Sequence, residues 1–216
     1  MFRLYSPLTL VALGAAAAFT PSAPLAQTLD WSVGDRWLYV KRDLASGKER
    51  ALVEKKVLSK SPTGFVTVFL DEADPVEENV SFDGTHTRQG QGALLGYTHT
   101  PIPFPLLPDS RWSTKSVITL SSGRTYHPEA KCAPKGEEDV TVPAGSFKSI
   151  RVECTGWWTA PQGYSGRYEV WAWFAPPIKW FAKIRIRSRP PGMGGFTEPD
   201  IDFDHEYALK SFDTAK

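Results

Sequence analysis

Residues 137–183 constrain the fold more than any other stretch, because they read as consecutive strands joined by tight turns. Residues 143–146, P-A-G-S, are typical of a hairpin turn: Gly supplies a positive φ, and Pro ends a ladder to which it cannot donate. Apolar residues alternate with polar ones on both sides of this turn. We predict that one face of the strand before the turn carries Val140 and Val142, and that one face of the strand after it carries Ile150, Val152 and Cys154.

Residues typical of turns also separate short apolar segments in the rest of the chain. The chain contains 18 Pro and 17 Gly at short intervals, and helical periodicity is nearly absent beyond the N-terminal region. This pattern indicates about ten short antiparallel strands. We therefore predict an all-β domain with little helix, built as a curved antiparallel sheet, an incomplete β-barrel or a sandwich.

The first half of this domain divides into strands and turns by the same reasoning. We expect Trp37 and Tyr39 to share one face of the first strand, because they alternate. Residues 71–78 are predicted to form an acidic loop, and residues 80–88 a small hairpin about Asp83-Gly84. The strands predicted around them span residues 31–41, 50–58, 65–70 and 111–120.

The N-terminus has the layout of a secretory signal peptide. Residues 1–26 carry a single charge, Arg3, then a short apolar run, then small residues and Pro. Cleavage is expected after Ala26, with Ala23 as the alternative, which leaves residues 27–216 as a single domain. We expect the protein to be exported, to the periplasm or beyond, and we find no later apolar run long enough for a membrane helix.

The charge balance excludes two classes of partner. Without Arg3 the chain has 24 Lys and Arg against 24 Asp and Glu, so the mature protein is formally neutral. A neutral domain lacks the basic surface of a nucleic-acid binder. It also lacks the net positive charge that would attract it to an anionic membrane.

The chain has two cysteines, Cys132 and Cys154. Export to an oxidising compartment favours a disulfide between them, the alternative being two free thiols. The bridge would connect the two strands of the hairpin described above. Because it closes a short loop, it would add about 3 kcal/mol to the free energy of unfolding.

A ladder of charges lies near the C-terminus. Cations at alternate positions from Lys183 to Arg189 precede carboxylates at alternate positions from Glu198 to Glu206. Antiparallel pairing would place opposite charges on one face and apolar residues on the other. The predicted partners are Arg189 with Glu198, Arg187 with Asp200, Arg185 with Asp202, and Lys183 with Asp204, while Ile184 and Ile186 share the other face with Ile201 and Phe203.

These carboxylates could instead bind a cation, since spaced carboxylates suit Ca²⁺. A strand spreads them along a line, however, whereas Ca²⁺ needs ligands around a point, and no EF-hand-like loop is present in the sequence. We therefore predict a structural ladder and no metal site.

The sequence contains no catalytic motif that we recognise: no G-x-S-x-G, S-x-x-K, H-E-x-x-H, C-x-x-C, P-loop or G-x-G-x-x-G. The four histidines are scattered, and isolated His in loops and at strand ends are mostly solvated or locally hydrogen-bonded. We predict a protein without catalytic residues and without a cofactor. The histidines are His86, His99, His127 and His205.

An aromatic cluster occupies the second half of residues 137–183. Aromatic residues in strands are usually core, but they can also line an apolar ligand cavity or form a platform for sugars. On residues 168–174 both faces are apolar, so something must cover the second face: more chain, a ligand or a partner. The candidate ligand-binding residues are Trp157, Trp158, Trp171, Trp173, Trp180 and Phe181.

Four motifs occur in order: G-D-x-W, P-L-x-x-x-x-x-W, E-x-V-T-V-P-A-G-S-F-K leading to V-E-C, and W-F-A-P-x-x-K-W-F. With these four motifs, residues 31–212 resemble a family of uncharacterised exported bacterial proteins. The family is a domain of unknown function with a V-P-A-G-x-F hairpin and a W-[YF]-A-P segment. The chain departs from that pattern at Pro108-Asp109 and at Pro177, where the family usually has Gly. The resemblance implies a periplasmic all-β domain, similar to the open half-barrels of lipoprotein carriers and lipid-binding envelope proteins. It implies no established activity.

These observations predict a cell-envelope protein that binds an apolar or amphiphilic ligand, such as a lipid, on the curved sheet. One alternative is an interaction or structural module whose sheet face is covered by an envelope protein. Another is a carbohydrate-active or hydrolytic enzyme that uses an Asp/Glu pair the sequence does not reveal.

Overall fold

The computed structural model describes residues 29–71, 74–89, 94–99, 102–120, 123, 125–160, 163, 165–189 and 204–214. These residues form thirteen β-strands and a 3₁₀ turn at Pro176–Ile178. The strands are β1 Arg36–Asp43, β2 Glu49–Ser61, β3 Gly64–Asp71, β4 Asp74–Ser81, β5 His86–Gln89, β6 Leu94–His99, β7 Trp112–Lys115, β8 Val117–Leu120, β9 Thr125–Val142, β10 Gly145–Thr159, β11 Ser165–Ala175, β12 Trp180–Arg189 and β13 His205–Asp213.

The strands belong to one antiparallel sheet in the order β10-β11-β12-β13-β1-β2-β3-β4-β5-β6-β8-β9-β7, with β9 also paired to β10. Among the described residues, the β8–β9 contact, which lies where the ring would close, comprises the pairs Ile118–Tyr126 and Thr119–Thr125. The sheet is therefore curved into an incomplete barrel, which confirms the predicted fold class with more strands than expected.

The hairpin predicted at the V-P-A-G sequence is confirmed as β9–β10. Val142 is opposite Gly145, so the turn is only Pro143-Ala144, two residues shorter than predicted. Gly145 has a φ of 133°, which suits glycine. The predicted disulfide is also present, because Cys132 and Cys154 are register partners on β9 and β10.

The acidic loop predicted for residues 71–78 is wrong, because residues from Asp74 onward form β4. Val76, Glu78 and Val80 alternate on its inner face and are all buried. The density of carboxylates in residues 71–78 predicted a loop. In the structure every second residue from Val76 to Val80 is buried, as in a strand with one face on the core, and the buried Lys55 pairs with Glu78. The hairpin predicted just after this strand is confirmed as β4–β5, where Val80 pairs with His86.

The C-terminal ladder exists, but its predicted register is wrong by four residues. Arg185 is opposite Glu206, not Asp202, and Lys183 is opposite Ala208, not Asp204. Alternation fixes only which face a side chain occupies, so a shift by an even number of residues keeps each side chain on its predicted face while changing its partner. The apolar partners change too: Ile184 and Ile186 are opposite Tyr207 and His205. The other predicted partners, Glu198, Asp200, Ile201, Asp202 and Phe203, lie outside the described residues.

The predicted signal peptide also lies outside the described residues and stays a prediction. Within the described part of the chain, no helix is long and apolar enough to span a bilayer.

Candidate ligand-binding cavity

The concave face of the sheet encloses a cavity of about 220 Å³. Two walls of different character meet there. Strands β10 to β13 supply mainly apolar side chains, and strands β2, β4 and β5 supply charged ones. The lining residues are Tyr39, Lys55, Phe69, Glu78, His86, Thr114, Val152, Cys154, Tyr168, Val170, Ala172, Trp180, Phe181, Ile184, Ile186 and Tyr207.

Aromatic side chains from the start of the chain fix one edge of this cavity. The indole Nε1 atoms of Trp31 and Trp37 donate to the carbonyl oxygens of Lys179 and Ile178, at 2.9 and 2.8 Å. The Tyr39 hydroxyl donates to the Phe181 carbonyl oxygen at 2.8 Å, and burial raises its pKa well above the usual value. These bonds attach residues 178–181, at the end of the 3₁₀ turn and the start of β12, to β1 and to Trp31 just before it, and thereby position the Trp180 and Phe181 rings.

A cluster of four buried polar side chains, Lys55, Thr67, Glu78 and His86, lies on the wall formed by β2 to β5. The Lys55 ammonium donates to Glu78 Oε2 and to Thr67 Oγ1, the latter at 3.2 Å. His86 Nδ1 lies 3.0 Å from the same Glu78 oxygen, and Thr67 Oγ1 lies 3.3 Å from it. One carboxylate oxygen is therefore shared by three side chains from three other strands.

The electrostatics of this buried cluster favour an ionised Glu78. Burial raises the pKa of Glu78, but the charges of His86 and Lys55 and their hydrogen bonds outweigh burial and hold the pKa well below its usual range. On the opposite wall, burial raises the pKa of Tyr168 to about 12, so this phenol stays neutral. The cavity thus combines a largely apolar wall with one fixed, internally compensated set of charges.

The structure separates the six aromatic residues predicted to bind a ligand. Trp180 and Phe181 line the cavity. Trp158 packs against Tyr126 in a separate small cluster, and Trp157 is 59% exposed. Trp171 and Trp173 are also absent from the cavity lining.

Long cationic side chains cover the second apolar face of β11. Lys183 Nζ lies 5.4 Å from the centroid of Trp173, and the Arg187 guanidinium lies 5.9 Å from that of Trp171. Glu138 from β9 accepts from the Trp173 indole nitrogen. The charge ladder of β12 and the neighbouring β9 thus cover this face within the chain itself.

Sequence reasoning missed the buried polar cluster, although alternation contained a signal for it. Lys55 stands between Val53 and Val57 at alternate positions, and Glu78 stands in the same way between Val76 and Val80. A charged residue at an inward position of an alternating strand is a candidate for a buried ion pair. Of the histidines that the sequence predicted to be solvated or locally hydrogen-bonded, His86 and His205 are buried, and His86 contacts Glu78.

Among the described residues, no group of three or more His, Cys, Asp or Glu side chains is arranged to hold a metal ion.

Comparison with known proteins supports the fold. No family model and no curated protein sequence matches the chain, so its resemblance to the exported family with the V-P-A-G-x-F hairpin stays a prediction. A crystal structure of a putative lipoprotein from Parabacteroides distasonis is similar, with a TM-score of 0.55 and 11% identity over 84% of this chain and 96% of that one. A putative exported protein with a YmcC-like fold from Bacteroides fragilis is also similar, with a TM-score of 0.54 and 13% identity over 85% of this chain and 97% of that one. At this level of identity the similarity establishes a shared fold.

Proposed function

We propose that this chain is an exported cell-envelope protein that binds a small apolar or amphiphilic ligand inside the curved sheet. The observation that carries the proposal is the cavity of about 220 Å³, whose lining is mainly apolar and aromatic. The N-terminal pattern, the disulfide and the exported or lipoprotein descriptions of the two similar structures support a location in the envelope.

The size of the cavity limits the ligand. Pockets for drug-sized ligands have volumes of roughly 300–1,000 Å³, and this cavity is smaller. A complete two-chain lipid therefore does not fit, whereas one short hydrocarbon chain does.

Native mass spectrometry of the protein purified from its own envelope, followed by organic extraction, tests this proposal. We expect a co-purified small molecule in the wild type and its loss in Val170→Trp, because Val170 lines the cavity. The matched control is Thr155→Trp, since Thr155 is exposed on the adjacent strand β10. A wild type that carries no small molecule and takes up no added short-chain amphiphile would refute the proposal.

A second candidate function rests on the contact between His86 Nδ1 and Glu78. A carboxylate that orients an imidazole in this way is a recurring arrangement for general-base catalysis, here of ester hydrolysis. The test is turnover of p-nitrophenyl octanoate by the wild type and by His86→Gln. Turnover that is lost in His86→Gln would favour the enzyme, and equal rates in both would exclude it.

A further inference from the structure

The Lys55 ammonium has more hydrogen-bond donors than the described residues have oxygen acceptors for it. An ammonium group carries three N–H donors. Within the described part of the chain, its oxygen acceptors are Thr67 Oγ1 and Glu78 Oε2. Nζ also lies 5.4 Å from the ring centroids of both Trp31 and Trp180, and Lys55 lines the cavity. One donor is therefore left for an acceptor inside the cavity.

The Lys55 ammonium favours an anionic acceptor, because hydrogen bonds between a charged donor and a carboxylate are stronger than those between neutral groups. Lys55 and Glu78 compensate each other, and His86 shares the same Glu78 oxygen. Glu78 Oε2 is thus approached by the nitrogen atoms of both side chains. A ligand carboxylate near Lys55 would find an ammonium already held in place by Glu78 and Thr67, which reduces the entropy that binding must overcome.

The opposite wall is suited to a hydrocarbon chain. Val170 and Ala172 from β11 and Ile184 and Ile186 from β12 line it. The two walls together match a molecule with one polar end and one short apolar chain. We infer that, if the cavity is a ligand site as proposed above, its ligand is a short-chain monocarboxylate whose carboxylate accepts from Lys55 and whose chain packs on β11 and β12.

Calorimetric titration of the wild type with octanoate and with 1-octanol compares two head groups on the same chain length. A hydrogen bond from a charged donor should make octanoate bind about tenfold more tightly or better. The variant Lys55→Met/Glu78→Gln removes both charges without leaving either one buried alone. In this variant we expect the ratio of octanoate affinity to octanol affinity to fall to about one.

The matched control is Lys56→Met/Glu77→Gln, which makes the same chemical change at exposed positions of the same two strands. This control should keep the octanoate preference. If the cluster variant does not fold, the comparison of octanoate with octanol on the wild type still tests the carboxylate assignment. Octanol binding as tight as that of octanoate overturns the carboxylate assignment and leaves the apolar cavity standing, whereas failure of both compounds to bind overturns the proposed function as well.

Discussion

Two sets of ion pairs lie on opposite faces of the same sheet, and they differ in solvent access. The Lys55–Glu78 pair faces inward, with side-chain exposures of 4% and 3%. The Arg185–Glu206 pair belongs to the outer ladder of β12 and β13, with side-chain exposures of 37% and 11%. The Arg185 Nη2 to Glu206 Oε2 distance is 2.7 Å, and Lys183 Nζ lies 3.1 Å from the same oxygen.

The difference shows that similar contacts have different energetic roles. Water reaches the Arg185 side of the outer pair, so this pair is partly screened and contributes less to the free energy of unfolding than the inner pair. The inner pair has lost its water, so each charge depends on the other and on Thr67 and His86. The outer ladder was evident in the sequence, whereas the inner cluster, whose disruption would be more damaging, was not.

The largest expected effect comes from breaking the inner pair. Lys55→Met leaves the Glu78 carboxylate buried without its cation, which should lower the free energy of unfolding by about 3–5 kcal/mol. Urea denaturation measures this change. Lys56→Met, at an exposed position of the same strand, is the control and should stay within about 0.5 kcal/mol of the wild type. Equal losses in the two variants would show that the inner pair is not desolvated.

A smaller effect is expected in acid. Because the pKa of Glu78 is lowered in the folded state, ionised Glu78 stabilises the fold fully above the unfolded-state value of about 4.3. That stabilisation is lost progressively as the pH falls below about 4.3 towards the folded-state pKa. Carboxyl-carbon NMR should show Glu78 still ionised at about pH 4.3, with exposed glutamates in the same spectra as the reference. A Glu78 carboxyl that titrates together with them would contradict the proposed balance of charges.

The smallest effect belongs to the outer ladder, and it also tests the register. A double-mutant cycle between Arg185→Gln and Glu206→Gln should give a coupling energy of about 0.5–1 kcal/mol, reduced in 1 M NaCl. The matched cycle between Arg185→Gln and Asp202→Asn should give a coupling energy near zero. If Arg185 were coupled to Asp202 and not to Glu206, the register predicted from the sequence would be correct and the register of the structure wrong.

Much of the fold could be predicted because the relevant signals are local. The V-P-A-G turn, the alternation of Trp37 with Tyr39 and the pairing of Cys132 with Cys154 all follow from nearby residues. Within the candidate site, Trp180 and Phe181 were predicted among the ligand-binding residues and do line the cavity. Lys55, Glu78 and His86 were missed: Lys55 was assigned to a strand without a role, Glu78 to an acidic loop, and His86 to the histidines expected to be solvated or locally hydrogen-bonded.

The amino-acid sequence by itself determined the strand class, the inward and outward faces and the disulfide, since these depend on a period of two and on short loops. Only the tertiary structure decided the register of β12 and β13, because alternation is unchanged by a shift of four residues. It alone also brought the charged wall of β2 to β5 opposite the apolar wall of β10 to β13. The alternation of Lys55 with Val53 and Val57 marks an inward position, but whether that position is solvated or buried depends on the distant wall.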